Sequence, residues 1–301
     1  VNLDLRAAAV ARAKASFLCA CTLDVAVRKP GNVSLQSGGH RMQASMFLDS
    51  AVAAAGPLFT RGASVGERIE AAVEASWSVA HCNTNLGILL LCAPVAVAVE
   101  RRPDAVTLVA LQDAIGAVLG GLGLADAEHA YRAIARANPG GLGTAPAEDV
   151  RVAPSIDLRA AMALSADRDL IARQYRDGYA DVFGVALPAL GPGFACPQGD
   201  GCGSPEAAIS ATTTAAVQRL YIALLGSFAD SHIVRKHGEA VAQTVMAAAQ
   251  AWRGADAMDG VPAWAAWDES LKARGINPGT SADLTVATLM IAGLASRWHG
   301  T

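Results

Sequence analysis

Apolar residues recur at helical spacing along almost the whole chain, and polar residues interrupt that pattern in short clusters instead of alternating with it. A helical period runs from about 3 to 27 and stops at Arg28-Lys-Pro-Gly-Asn-Val-Ser34, where Pro30 and Gly31 cannot continue it. The same spacing predicts helices over 44–56, 64–81, 85–99, 105–121, 125–137, 155–184, 205–227, 231–252, 263–273 and 281–298. No convincing run alternates with a period of two. The predicted fold class is therefore all-α, a single compact multi-helix domain over 1–301 with buried apolar helices at its centre. The one long irregular segment, 191–205, is rich in Gly and Pro and has the length of a lid or a disordered loop.

Composition agrees with the pattern and narrows the function. Over 301 residues, 52% hydrophobic content supplies a sizeable core, and the 5% aromatic share beside abundant Ala favours helix over strand. A net charge of −3 without any Lys/Arg-rich run argues against holding a nucleic-acid backbone. The longest apolar run, Leu86 to Val99, is shorter than the roughly 20 residues of a membrane span. It contains Pro94 and reads as a buried core helix. The N-terminal segment has no export-signal pattern, so a cytoplasmic location is expected and the Asn32-Val-Ser34 glycosylation sequon is discounted. Cys19, Cys21, Cys82 and Cys92 sit in apolar helical patterns and read as reduced core thiols. Cys196 and Cys202 bracket a Gly/Pro-rich loop, where a disulfide or metal role competes with plain loop.

Candidate chemistry gathers where helices begin or end, and a helix start offers free N–H groups and a positive dipole end to an anion. In Lys29-Pro-Gly-Asn-Val-Ser34, Lys29 is a point charge for phosphate, Gly31 lets backbone approach a ligand, and Asn32 both donates and accepts; the competing reading is a Pro-Gly turn with an exposed lysine. His40 follows shortly after. Asn83, Thr84 and Asn85 precede the buried apolar run, and helix capping explains only one of the three. Asn138-Pro-Gly-Gly-Leu-Gly143 lacks both the Lys-Ser/Thr of a phosphate loop and a preceding strand, so it reads as a tight connection. Within the predicted 155–184 helix, Asp169 can pair with Arg173 and Arg173 with Asp177. That leaves Asp167 as the candidate for metal or acid/base work. Thr280 and Asp283 have capping-box spacing, although the preceding Asn277-Pro-Gly279 is more than a cap needs.

The densest cluster is Asp230-Ser-His-Ile-Val-Arg-Lys-His-Gly238. Projected as a helix at about 100° per residue, Asp230, Ile233, Val234 and His237 share one face, and His232, Arg235 and Glu239 the opposite one, with Lys236 nearer the latter. The first set is expected to face inward, where a charge needs a partner; the His232/Arg235 side is expected to be solvated.

Taken in order, Lys29-Pro-Gly-Asn-Val-Ser34, Asn83-Thr-Asn-Leu-Gly87, Asp230 to Gly238 and Asn277-Pro-Gly-Thr-Ser-Ala-Asp-Leu284 make the chain resemble the triphosphoribosyl-dephospho-CoA synthase family over about 10–297. The resemblance implies an all-α transferase that moves the triphosphoribosyl unit of ATP to a ribose hydroxyl of dephospho-CoA and releases adenine. It implies catalytic roles for Asp230, Asp283 and His237, with Mg²⁺ held by Asp230 and Asp283 alongside Asp167. Lys29, Arg235 and Lys236 would meet phosphates, while Asn83, Asn85 and Asn277 would orient ribose or base. Gly31, Asn32, His40, Thr84, Gly279 and Thr280 complete the expected nucleotide contacts. The expected partners are small molecules and a second copy of the chain, with neither nucleic acid nor membrane.

Two positions depart from members that serve decarboxylase carrier proteins. Asn85-Leu86 stands where they carry a His-Lys pair, and Arg41 or Met42 where they carry an Asp after the loop histidine. The pattern here is more similar to a branch found in organisms that make methanopterin- and methanofuran-type one-carbon carriers. That similarity implies a carrier precursor as an alternative substrate. A subunit that binds nucleotide without turning it over is the third reading.

Overall fold

The computed structural model describes residues 3–144, 147–191, 194, 209–255 and 257–295. Cys196, Cys202 and nearly all of the 191–205 loop lie outside the described residues. The first half of the chain forms α1 (Leu3–Ala26), α2 (Ala44–Leu58), α3 (Val65–Ala80), α4 (Leu86–Arg101), α5 (Leu108–Gly120) and α6 (Leu124–Ala137). The second half forms α7 (Leu158–Ala163), α8 (Leu170–Asp177), a π-helical turn (Val182–Ala186), α9 (Leu187–Leu190), α10 (Ala211–Leu225), α11 (Ser231–His237), α12 (Glu239–Gln250), α13 (Pro262–Ala273) and α14 (Gly279–Leu294). Among the described residues there is no strand, and one isolated bridge joins Gly39 to Met42.

The most apolar helices are innermost because they have no polar face to give to water. In α4 every residue from Ile88 to Val99 is buried, as are nearly all of those in α14. Each packs against the other and against α1. Outer helices begin where the sequence supplies a cap: Ser64 and Glu67 form a reciprocal capping box on α3, and Thr107, Asp157 and Ser210 cap α5, α7 and α10. A smaller apolar cluster around Tyr221, Ile233, Val245, Trp264 and Leu271 joins α10 to α11, α12 and α13.

Pro94 shapes the middle of this core. It has no N–H, so the carbonyl of Leu90, four residues back, loses its helical donor. The Tyr175 hydroxyl donates to that oxygen at 2.6 Å, and the Tyr179 hydroxyl donates to the Leu91 carbonyl at 2.5 Å. Both tyrosines are fully buried. The α8 region is thus pinned to α4 at the point where α4 cannot satisfy itself.

Two predicted helices are divided in the structure. The 155–184 segment splits because Asp169 caps a new helix at Leu170 and Gly178 ends it at φ +63°. The 231–252 segment breaks at Gly238, whose φ of +86° is left-handed. The capping-box reading of Thr280 and Asp283 also fails: α14 starts after Pro278 with no side-chain cap, and Thr280 is already inside the helix. Cys21, Cys82 and Cys92 are free thiols as expected, whereas Cys19 is disulfide-bonded and so departs from that reading. No single helix among the described residues is long and apolar enough to cross a membrane.

The Tyr175 bond can be tested against Pro94. Tyr175→Phe strands a buried carbonyl and should cost about 1–3 kcal/mol, read as a fall in the urea midpoint. Pro94→Ala restores an N–H for that carbonyl, so the tyrosine substitution should cost less in its background. Equal costs in both backgrounds would remove the proline from the explanation.

Candidate functional site

The starts of α4, α8, α11 and α14, the end of α1 and the loop after it surround a cavity of ≈ 330 Å³. Its polar lining includes Asp24, Asn32, His40, Asp169, His232 and Asp283. Its apolar lining includes Leu90, Ile134, Leu142, Leu158, Met162 and Ile171.

Asp230 assembles the polar lining from behind. It is fully buried and is not part of the cavity wall. Its Oδ1 accepts from the backbone N–H groups of His232 (2.9 Å) and Ile233 (3.2 Å) and so caps α11. Its Oδ2 accepts from the Ser281 N–H (2.7 Å) and hydroxyl (2.8 Å) in the first turn of α14. Burial pushes its carboxyl upward, and these four donors pull it back. The next residue continues the connection, since the Ser231 hydroxyl accepts from the Leu170 N–H at the start of α8 (2.8 Å).

On that frame α11 turns His232, Arg235 and Lys236 to the cavity. Arg235 donates to Asp169 Oδ2 at 2.7 Å, while its Nε is buried without a partner. Lys236 is exposed and forms no ion pair among the described residues. His232 Nε2 is buried without a partner, and burial first, then Lys236 and Arg235, pushes the ring pKa down to about 3. The ring is neutral at physiological pH. The face expected to be solvated is therefore a cavity face. The face expected to be inward places Asp230 and Ile233 in the core, but His237 reaches only the Gly275 carbonyl, to which Nε2 donates at 3.0 Å, and it does not line the cavity.

Asp283 also lines the cavity. No hydrogen bond or ion pair engages its carboxylate among the described residues. Burial, then the charges of Asp24 and Asp230, push its carboxyl well above the ordinary carboxylate range. Gly87 makes room for it, because a Cβ there would sit 2.0 Å from Asp283 Oδ2. The glycine of the Asn-Thr-Asn-Leu-Gly motif therefore lets α4 and α14 approach at this carboxyl.

The other expected residues divide sharply. Asn32 Nδ2 donates to Asn277 Oδ1 at 2.7 Å, and both side chains line the cavity with Gly279. His40 Nε2 donates to the Gly31 carbonyl at 2.8 Å, and burial lowers the pKa of its ring. Asn83, Thr84 and Asn85 also line the cavity, yet each has a structural bond. Asn83 accepts from the Leu86 N–H, while Thr84 and Asn85 donate to the hydroxyls of Ser50 and Ser76. Lys29 is fully buried behind the wall, paired with Asp24 at 3.0 Å. The Gly31 N–H donates to the buried Asp268, and Thr280 is buried inside α14; neither faces the cavity. Asp167 is 94% exposed and pairs with Arg176 at 2.7 Å on the outer surface, away from the cavity. The expected Asp169–Arg173–Asp177 ladder is absent, since Asp169 bonds Arg235 and Arg173 bonds Asp181.

Sequence reasoning did not name Asp24, and it assigned Asp169 to a salt-bridge ladder and His232 to a solvated face. Asp24 offered a signal, a lone carboxylate in the otherwise apolar last turns of α1. No three His, Cys, Asp or Glu side chains converge as a metal site among the described residues.

Residues 10–301 match the family model of ATP:dephospho-CoA triphosphoribosyl transferase. A solved structure from Archaeoglobus fulgidus, which carries a provisional triphosphoribosyl-dephospho-CoA synthase assignment, has the same fold. The two share 24% identity over 83% of this chain and 99% of that one, with a TM-score of 0.62. No curated protein sequence matches the chain.

Asp283 makes stability depend on pH in a defined direction. A carboxyl whose folded-state pKa is raised costs nothing below its unfolded value of about 3.9 and costs more as pH rises toward the folded-state value. Asp283→Asn should therefore gain stability over the parent as pH rises from about 5 to 8, read from urea midpoints. A gap that stays constant or narrows would contradict the raised proton affinity.

Proposed function

We propose a function that proceeds from one premise: the chain belongs to the ATP:dephospho-CoA triphosphoribosyl transferase family. It is a transferase. In our reading its donor is ATP, its acceptor is a ribose hydroxyl of dephospho-CoA, and adenine is released in the cavity described above. The carrying observation is Asp283, a carboxyl with raised proton affinity and no hydrogen-bond or ion-pair partner among the described residues, lining the same cavity as Arg235 and Lys236.

The chemistry asks for those groups. As the acceptor oxygen bonds to the anomeric carbon, its proton must leave, and the bond to adenine breaks with its electron pair going to the base. A carboxylate whose pKa is lifted toward neutrality is a competent proton acceptor for such a hydroxyl. Asp283 takes that role, and Asp24 lies close enough to raise its basicity. Lys236 and Arg235 meet the triphosphate. Arg235 is held in place by Asp169, and the lysine is free to swing. Asp230 positions both helices and takes no part in proton transfer, because its four acceptor directions are filled. The apolar lining suits the less polar arm of an acceptor.

Mg²⁺ fits in one form. A site made by protein alone has no three-ligand cluster among the described residues, but Mg²⁺ is commonly held by one or two carboxylates together with substrate phosphates. Asp283 is available for that, and the ion would neutralise phosphate charge.

A second reading keeps the reaction class and changes the acceptor to a one-carbon-carrier precursor. Leu86 favours it: this position, a lysine in the decarboxylase-associated pattern, is here an apolar side chain only 7% exposed, and Asn85 beside it is tied to Ser76.

Incubation with ATP, Mg²⁺ and dephospho-CoA should release adenine. Asp283→Asn should lower kcat by about 10²–10⁴-fold while ATP still binds. Turnover within about threefold of the parent would remove Asp283 from proton transfer. Adenine release that requires another hydroxyl acceptor would select the second reading, and tight ATP binding without turnover on either acceptor would leave a binding subunit. Lys236→Ala should raise KM for ATP more than it lowers kcat.

A further inference from the structure

The Asn32 and Asn277 side chains share a single hydrogen bond, and its direction leaves two atoms over. Asn32 Nδ2 faces Asn277 Oδ1 at 2.7 Å and the Pro278 carbonyl at 3.5 Å, so Asn32 Oδ1 is turned from both. That oxygen is buried without a partner in a residue only 6% exposed. Asn277 uses its oxygen for this bond, and its Nδ2 has no acceptor among the described residues. Two joined amides thus offer an acceptor and a donor on the cavity wall.

That pair complements an aminopurine edge, where an exocyclic amine donates beside a ring nitrogen that accepts. Phosphate fails the test because it has no proton for Asn32 Oδ1, and a 6-oxopurine would set one acceptor against another. His232 borders the same turn. Its Nδ1 is 3.1 Å from where a Cβ on Gly279 would stand, a tight approach that a larger residue would push back, and its Nε2 is buried without a partner. A neutral imidazole can turn a flat face or one N–H to an uncharged base without burying a charge.

We propose that Asn32, Asn277 and His232 form the base-reading subsite of the cavity and select a 6-aminopurine over a 6-oxopurine. The proposal rests on the reading that ATP is the donor. It adds a role for His232 and divides the polar wall into a base end and, at Arg235 and Lys236, a phosphate end.

The test compares ATP, ITP and purine riboside triphosphate on the full chain with Mg²⁺, by calorimetry for binding and by release of the free base with dephospho-CoA. The unaltered protein should prefer ATP over ITP by about 10²-fold or more in affinity. Purine riboside triphosphate, which lacks the amine without presenting an opposing oxygen, should fall between them. Asn32→Ala should weaken ATP by about 10–100-fold and ITP by less than about threefold, which collapses the ratio. Asn277→Ala and His232→Ala should narrow it as well, each with a melting curve to confirm folding. Equal binding of ATP and ITP by the unaltered protein overturns the subsite, as does an ATP/ITP ratio that survives in folded variants. Selective ATP binding that the variants lose, without any base release, supports the subsite and overturns the proposed reaction instead. Absence of binding to all three nucleotides overturns both.

Discussion

One carboxylate that never meets the cavity holds the cavity's polar wall together. Asp230 is fully buried, and an ionised group in that position is tolerable only when its lone pairs are filled. The backbone fills them from two directions, with two amides of α11 on one oxygen and the amide and hydroxyl of Ser281 in α14 on the other. Two helix starts some fifty residues apart in sequence are thereby fixed to one anion. Ser231 adds a third through the Leu170 N–H of α8. His232 and Arg235 on one helix, Asn277 to Asp283 at the head of another, and Asp169 at a third inherit their relative positions from these bonds.

The surrounding shell is built so that such a wall can be held rigidly. Helices rich in alanine and small apolar residues approach closely, and where Pro94 leaves a helical carbonyl without its donor, a side chain from elsewhere supplies one. Tyr175 and Tyr179 serve the backbone carbonyls around Pro94, and Gly87 yields space to Asp283. Along the cavity, Asn32 Oδ1, His232 Nε2 and Arg235 Nε lack partners, and Asp283 keeps a carboxyl that burial makes reluctant to ionise. Each such atom costs about 1–3 kcal/mol when left unbonded. On the cavity wall, that is the expected cost of a site arranged in advance for a ligand's charges and hydrogen bonds.

The same polar residues show where a one-dimensional reading succeeds and where it stops. The motifs at 29–34, 83–87, 230–238 and 277–284 were all legible, and each does contribute to the cavity or to its support. Their division of labour was not. Lys29 has the composition of a phosphate ligand and is consumed by Asp24; Asp167 looked free and lies on the outside; His237 shares a helix face with Asp230 and ends on a loop carbonyl. The helical projection of Asp230 to Gly238 placed Asp230 and Ile233 inward correctly but not His237, and a face turned to a cavity and a face turned to solvent carry the same polar residues. The 155–184 segment failed for a related reason. Asp169 is compatible with a helix interior and with a cap, and the cap is made only because Ser231 and Arg235 arrive from another part of the chain.

The sequence by itself determined the helical class, most element boundaries to within a few residues, the buried position of α4, and the set of motifs from which a site could be drawn. Those follow from local periodicity, from Gly and Pro, and from apolar stretches that have no polar face to show to water. Only the tertiary structure decided which carboxylate is bonded into the frame and which stands open to a ligand. Asp230 and Asp283 are the same residue type at the starts of neighbouring helices, the first fully buried and the second on the cavity wall. What separates them is whether donors from distant segments reach their oxygens, and donor supply across a fold is not encoded in any local stretch of chain.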